Sequence, residues 1–167
     1  MSANRLQRLA EELTVELDEF QRLETDIAEA QSRIGEREPD TFELRALGGI
    51  LHDLYNGAER ICLHIAKEID RRVPAGAAWH RDLLVQMTTS VLKARTAVLR
   101  TETEALLEDY RRFRHLVRHT YGFQLDWIAI KPLLDNASKT IEAFATDIKH
   151  FIAFLLTMAN SDESDMA

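Results

Sequence analysis

Nine residues, Arg111 to His119 (RRFRHLVRH), hold four arginines and two histidines in a chain whose formal net charge is -7. An arginine is always charged and grips a phosphate through paired N–H groups, whereas a histidine takes or gives a proton near neutral pH. Together they suit metal-free cleavage of RNA. His119 would deprotonate a 2′-hydroxyl or protonate the leaving oxygen, and Arg114 would stabilise charge on the phosphoryl oxygens. One imidazole cannot perform both proton transfers at once, so a second copy across a two-fold axis, or His115 or Tyr121, would supply the missing group. The rival reading of this run is a solvated, salt-bridged helix face.

Helical spacing sorts these residues. Leu106, Tyr110, Phe113, Leu116 or Val117 and Tyr121 step by three or four and are expected to face the core or a partner. Arg114 falls on the border of that stripe, one turn before Arg118, while Arg111 and Arg112 fall outward, where Glu108 and Asp109 can partly neutralise them. Arg114 and His119 are about 140° apart on a regular helix, so their convergence would rely on a relaxed last turn before Gly122. Thr101 and Glu104 have capping-box spacing at the helix start.

The elements that must carry this helix are themselves helical. Leu6, Leu9, Leu13, Leu17, Phe20, Ile27 and Ile34 predict one long first helix, stopped by Gly35 and Pro39, with Asp40 or Thr41 capping the next. Leu44 to Ile69 form a second stripe, ending before the loop RRVPAGAAW. A third helix starts near Trp79 and is expected to break between Thr88 and Val98, where threonines and a valine weaken it. The arginine-rich helix is fourth. In the last, Asp126 caps, Pro132 falls early enough to be tolerated, and Leu134 to Met158 keep a seven-residue repeat. No strand alternation or internal repeat appears, so the fold is expected to be all-α, an antiparallel bundle of four to five helices. A single domain over residues 1–158 is expected, with 159–167 a frayed polar tail.

Composition narrows the function classes. A length of 167 residues with 46% apolar content predicts one folded domain with a real core. A sequence pI near 5.4 argues against coating nucleic acid with the whole surface and leaves room for a local basic cleft. Lone Cys62, in RICLHI, reads as a small buried hydrophobe and fits a reducing compartment. MSANRLQRLAEEL is charged from its start, and runs such as FIAFLL are too short for a bilayer, so a cytoplasmic protein without membrane contact is expected.

The remaining polar residues offer less. His52, Asp53, Asn56 and Glu59 share helical spacing and could line a cleft or orient His119, though outward solvation is the preferred reading. His64, His80 and His150 stand apart, and no pair has metal-ligand spacing, so neither metal nor cofactor is expected. Trp79 and Trp127 read as packing anchors. Gly48-Gly49 reads as a close helix crossing or a kink, not a phosphate loop.

Arg114, His119 and Tyr121 match R-x4-H-x-Y, and the string FRHLVRHTYGFQLDW resembles the HepT-like branch of the HEPN superfamily of helical ribonucleases. The resemblance extends more weakly over roughly Phe42 to Leu155, including LHDLYNGAERICLHIAKEID and WHRDLLVQM. It implies a HEPN-like homodimer whose two motifs meet in an interface cleft and cut RNA without a metal, Arg114 and His119 being catalytic. It also implies a partner, a small nucleotidyltransferase antitoxin that adds AMP to Tyr121. His115 fits the polar residue that follows the arginine, and His115, Arg118, Arg111, Asp53 and Asn56 are candidates for RNA binding or support. The alternative is a non-catalytic helical dimer that binds a nucleotide or the nucleotidyltransferase.

Overall fold

The apolar stripe of the first third of the chain winds into two abutting helices, α1 (Ala3–Gln21) and α2 (Leu23–Ile34). They meet at Arg22, whose N–H bonds to Glu19 O at 3.2 Å while Thr25 N–H bonds to Arg22 O at 3.1 Å. These i→i−3 bonds tighten one turn and interrupt the single long helix expected from spacing, although Ile27, Ala30 and Ile34 carry the buried stripe onward. The computed structural model describes residues 2–92, 94–119 and 125–164, the side chains at 117–119 and 162–164 lying outside that description.

Gly35 ends α2 with φ 56°, a left-handed backbone that glycine adopts without steric cost. The next helix, α3 (Thr41–Ile65), starts at a full capping box: Asp40 Oδ1 accepts from Phe42 N–H and Glu43 N–H, and Glu43 Oε2 accepts from Asp40 N–H. It continues as a π-helical turn, Ala66–Asp70, that closes on left-handed Arg71. Helix α4 (Trp79–Thr88) is short, and the segment after it is irregular, as the run of threonines predicts. Helices α5 (Thr101–His119) and α6 (Trp127–Ser164) complete the chain. Counting α1 and α2 as one interrupted rod, five helices form the fold, with no strand among the described residues.

Cross-contacts fix the directions. Phe20 meets Phe144 edge to face at 5.0 Å and Gln31 Nε2 donates to Leu134 O at 2.9 Å, so α1–α2 run antiparallel to α6. Arg5 pairs with Glu68 at 2.6 Å and Arg60 with Glu19 at 3.5 Å, which sets α3 antiparallel to α1. Tyr110 OH donates to Leu133 O at 2.7 Å and Arg100 pairs with Asp147 at 2.6 Å, so α5 and α6 are antiparallel as well. The core between these rods includes Leu13, Ile27, Leu51, Leu54, Ile141 and Ile148. Cys62 is buried there, and burial pushes its thiol up to about 12.

Two glycines serve close approach. A Cβ on Gly57 would stand 2.8 Å from Phe20 Cδ2, and one on Gly48 would stand 2.8 Å from Leu125 Cδ1. Gly48 therefore marks the expected crossing, while Gly49 has open space around it.

Several expectations are corrected. Helix α5 begins at Thr101 itself, and its cap comes from α6: Asp147 accepts from Arg100 N–H at 3.0 Å and Arg100 Nε at 2.6 Å. The buried stripe of α5 is Thr103, Leu107, Tyr110 and Phe113, with Leu106 only half-buried and Leu116 exposed. Adjacent leucines at 106 and 107 allow either phase, and packing on α3 and α6 selects the second. Helix α6 continues to Ser164, with Ala159 buried, so fraying does not begin at residue 159; residues 165–167 lie outside the described ones.

Candidate functional site

Three helices bring Arg114 its neighbours. On α3, Tyr55, Asn56 and Glu59 share a face through three- and four-residue spacing, and that face turns toward α4 and α5. On α4, Trp79 and His80 are the first two residues. On α5, Arg114 follows Leu107 and Tyr110 along the buried stripe and is itself half-buried.

Arg114 Nε donates to Asn56 Oδ1 at 3.0 Å, and Nη1 lies 3.2 Å from His80 Nε2. The other imidazole nitrogen, His80 Nδ1, bonds to Glu59 Oε2. An arginine N–H can only donate, so His80 Nε2 must accept, and the ring proton resides on Nδ1 and goes to Glu59. The partners thus select one neutral tautomer. Trp79 lies against the imidazole at 3.6 Å with a 30° tilt, and Tyr55 meets it edge-on at 6.4 Å.

The electrostatics follow from burial. Glu59 is 7% exposed, and a carboxylate so enclosed needs a donor. The Tyr55 ring lies 5.9 Å beneath the Arg114 guanidinium. Burial first, and then the Glu59 charge, push its phenol far above the ordinary range, so it stays neutral. Arg114 consequently touches neutral groups: an amide oxygen, an imidazole lone pair and an aromatic face. Its Nη2 has no hydrogen-bond partner among the described residues.

The other arginines of the run differ. Arg111 forms a fork on Glu108, Nε at 2.6 Å and Nη2 at 2.8 Å, and Arg112 Nε reaches the same carboxylate at 3.1 Å. Arg111 is the larger cause holding the Glu108 carboxyl below its ordinary range, and Arg112 adds to it. Of the other candidates, His115 and Asp53 are exposed. Helix α5 extends through His119, but the side chains of Arg118 and His119, and all of Tyr121, lie outside the described residues. Asn56 and Glu59 are not outward and solvated, and His80 is not isolated: tertiary packing joins all of them to Arg114. Glu59 carried a legible signal, since it follows Tyr55 by four residues on the apolar stripe of α3. His80 carried none.

Among the described residues, no group of three or more histidines, cysteines and carboxylates could hold a metal ion, and no helix is long and apolar enough to cross a membrane.

An all-helical bundle presenting an R-x4-H arginine near the end of a late helix is the architecture of a HEPN-type domain. A family model described as HepT-like protein matches residues 46–155. The chain belongs to this HepT-like family, and every residue of the Arg114 cluster falls within the match. A comparison with curated proteins finds no match, nor does one with solved structures.

Proposed function

We propose that the protein is a metal-independent endoribonuclease toxin of a toxin–antitoxin pair, with Arg114 and His119 at its centre. The observation that carries this reading is the state of Arg114: it is held in place, touches no carboxylate among the described residues, and keeps Nη2 for an anion. In the reaction, a 2′-oxygen loses its proton and attacks the adjacent phosphorus. The bond to the 5′-oxygen breaks, a 2′,3′-cyclic phosphate forms, and the departing oxygen takes up a proton. Arg114 stabilises the charge on the phosphoryl oxygens, and His119 is one of the proton carriers.

The second proton carrier comes from the motif of a second copy. Leu116, 45% exposed, and Ile128, 80% exposed, stand on the two helices flanking the end of the motif and supply apolar surface for such a homodimer. The antitoxin partner is a nucleotidyltransferase that adds AMP to Tyr121, placing negative charge and bulk beside Arg114. A second reading, a non-catalytic nucleotide- or nucleotidyltransferase-binding dimer, is favoured by the fact that protein groups already occupy two of the Arg114 nitrogens.

The test uses mass-checked, unmodified protein with total RNA in EDTA, beside His119→Ala and Arg114→Ala. Cleavage by the wild type, with a loss of roughly 100-fold or more in each variant and unchanged oligomeric state, is the expected result. RNA binding without cleavage by any of them refutes the enzyme and selects the binding module.

A further inference from the structure

We propose that His80 and Glu59 are positioning residues for Arg114, a carboxylate–imidazole relay that fixes the direction of the guanidinium while leaving its charge available to a phosphate. The inference rests on the ribonuclease reading for its substrate, though the relay itself can be observed without RNA.

The argument begins from how Arg111 and Arg112 are treated. Both sit directly on Glu108, which offsets their charge. Arg114 also has a buried carboxylate nearby, Glu59, but an imidazole is interposed between the two. A direct ion pair would cancel the charge that binds an anion. The interposed ring instead passes on orientation: Glu59 accepts from Nδ1–H, which strengthens Nε2 as an acceptor for Arg114 Nη1–H. Asn56 fixes Nε at the same time, so two separate acceptors define the guanidinium plane. Trp79 and the edge of Tyr55 hold the imidazole itself against rotation.

The same bonds argue against His80 as a proton carrier. Its Nε2 lone pair is occupied by an arginine and its Nδ1–H by a carboxylate, so neither nitrogen is free to exchange a proton with substrate. His80 thus acts through Arg114 and not on RNA.

The test has a spectroscopic arm and a functional arm. In protein labelled with 15N-histidine, two-bond proton–nitrogen correlations give each ring's tautomer, and loss of one spin system in His80→Gln assigns His80. The neutral Nδ1–H form is expected, and an Nε2–H form or an imidazolium at neutral pH overturns the relay. The functional arm compares kcat/KM for RNA cleavage, and Kd for a non-cleavable 2′-O-methyl RNA, in the wild type, His80→Gln and His80→Leu. Glutamine can donate to Glu59 and accept from Arg114, so it should stay within about threefold of wild type, whereas leucine should weaken both quantities by about 10- to 100-fold. Unfolding midpoints and oligomeric state are measured for both variants, and a folded His80→Leu protein with wild-type values overturns the proposal. So does a folded His80→Gln protein as impaired as His80→Leu, because His80 would then transfer a proton. A wild type that cuts no RNA refutes the ribonuclease reading alone, and the relay then stands or falls on the tautomer and the RNA affinity.

Discussion

Replacing Arg95 with lysine keeps the charge and removes the shape, and the structure makes shape the larger part. The guanidinium is fully buried, with Asp70 3% exposed beside it. All five of its N–H groups are used. Nε and Nη2 bond to the two Asp70 oxygens at 2.7 Å each. Nη1 donates to Thr89 O at 2.7 Å and Thr96 O at 3.0 Å, and Nη2 also donates to Gln86 O at 3.0 Å. An ammonium has three donors on one atom, so at least two buried acceptors lose their partner. At about 1–2 kcal/mol for each, Arg95→Lys should cost roughly 2–4 kcal/mol. The assay is urea unfolding at fixed protein concentration, followed by tryptophan fluorescence. With a slope near 2 kcal/mol/M, the midpoint should fall by about 1–2 M. Arg33→Lys, altering the exposed pair with Glu29, is the control and should change stability by less than about 0.5 kcal/mol. If the Arg95→Lys midpoint moves no further than the control, the donor-counting argument fails.

Two more predictions concern the frame around the site. Gly57→Ala gains helix propensity of about 1 kcal/mol but drives a methyl to 2.8 Å from the Phe20 ring, which is already packed on Phe144, so a net destabilisation of about 1–2 kcal/mol is expected in the same urea assay. The Arg37 guanidinium, and then the Asp40 N–H, hold the Glu43 carboxyl down at about 2. Because its folded value is depressed, its stabilisation of the α3 start is present above the ordinary carboxylate value of about 4.3 and is lost as pH falls toward 2. A carboxyl-detected NMR titration should place the Glu43 midpoint near 2, and one near 4 would refute the capping argument.

Much of the fold was legible because long helices bury periodic stripes. Leu6 to Phe20, Leu47 to Ile65 and Leu134 to Leu155 are buried at the steps read from the sequence. What escaped depends on contacts between distant segments. The true cap of α5 is Asp147, 47 residues from Arg100, and no local pattern points to it. Of the site, Arg114 was legible through its motif. Its setting was not: His80 lies 34 residues away, in a helix start where a histidine beside a tryptophan looks like ordinary surface. Glu59 showed the usual ambiguity of a polar residue within an apolar stripe, which solvation and a hidden partner explain equally well until the partner is found.

The π-helical turn at Ala66–Asp70 has a bearing on how this chain tolerates insertions and deletions. Such a turn accommodates one residue more than an α-helical turn over the same path, so it acts as a frame offset in the helix's angular phase. Everything upstream, including Tyr55, Asn56 and Glu59, is indifferent to it. Asp70 is not: removing one residue between 66 and 69 would restore α-helical winding and swing that carboxylate by about 100° from the Arg95 guanidinium. Homologous chains one residue shorter at this point would then have to anchor the connection between α4 and α5 by some means other than a buried carboxylate–guanidinium fork.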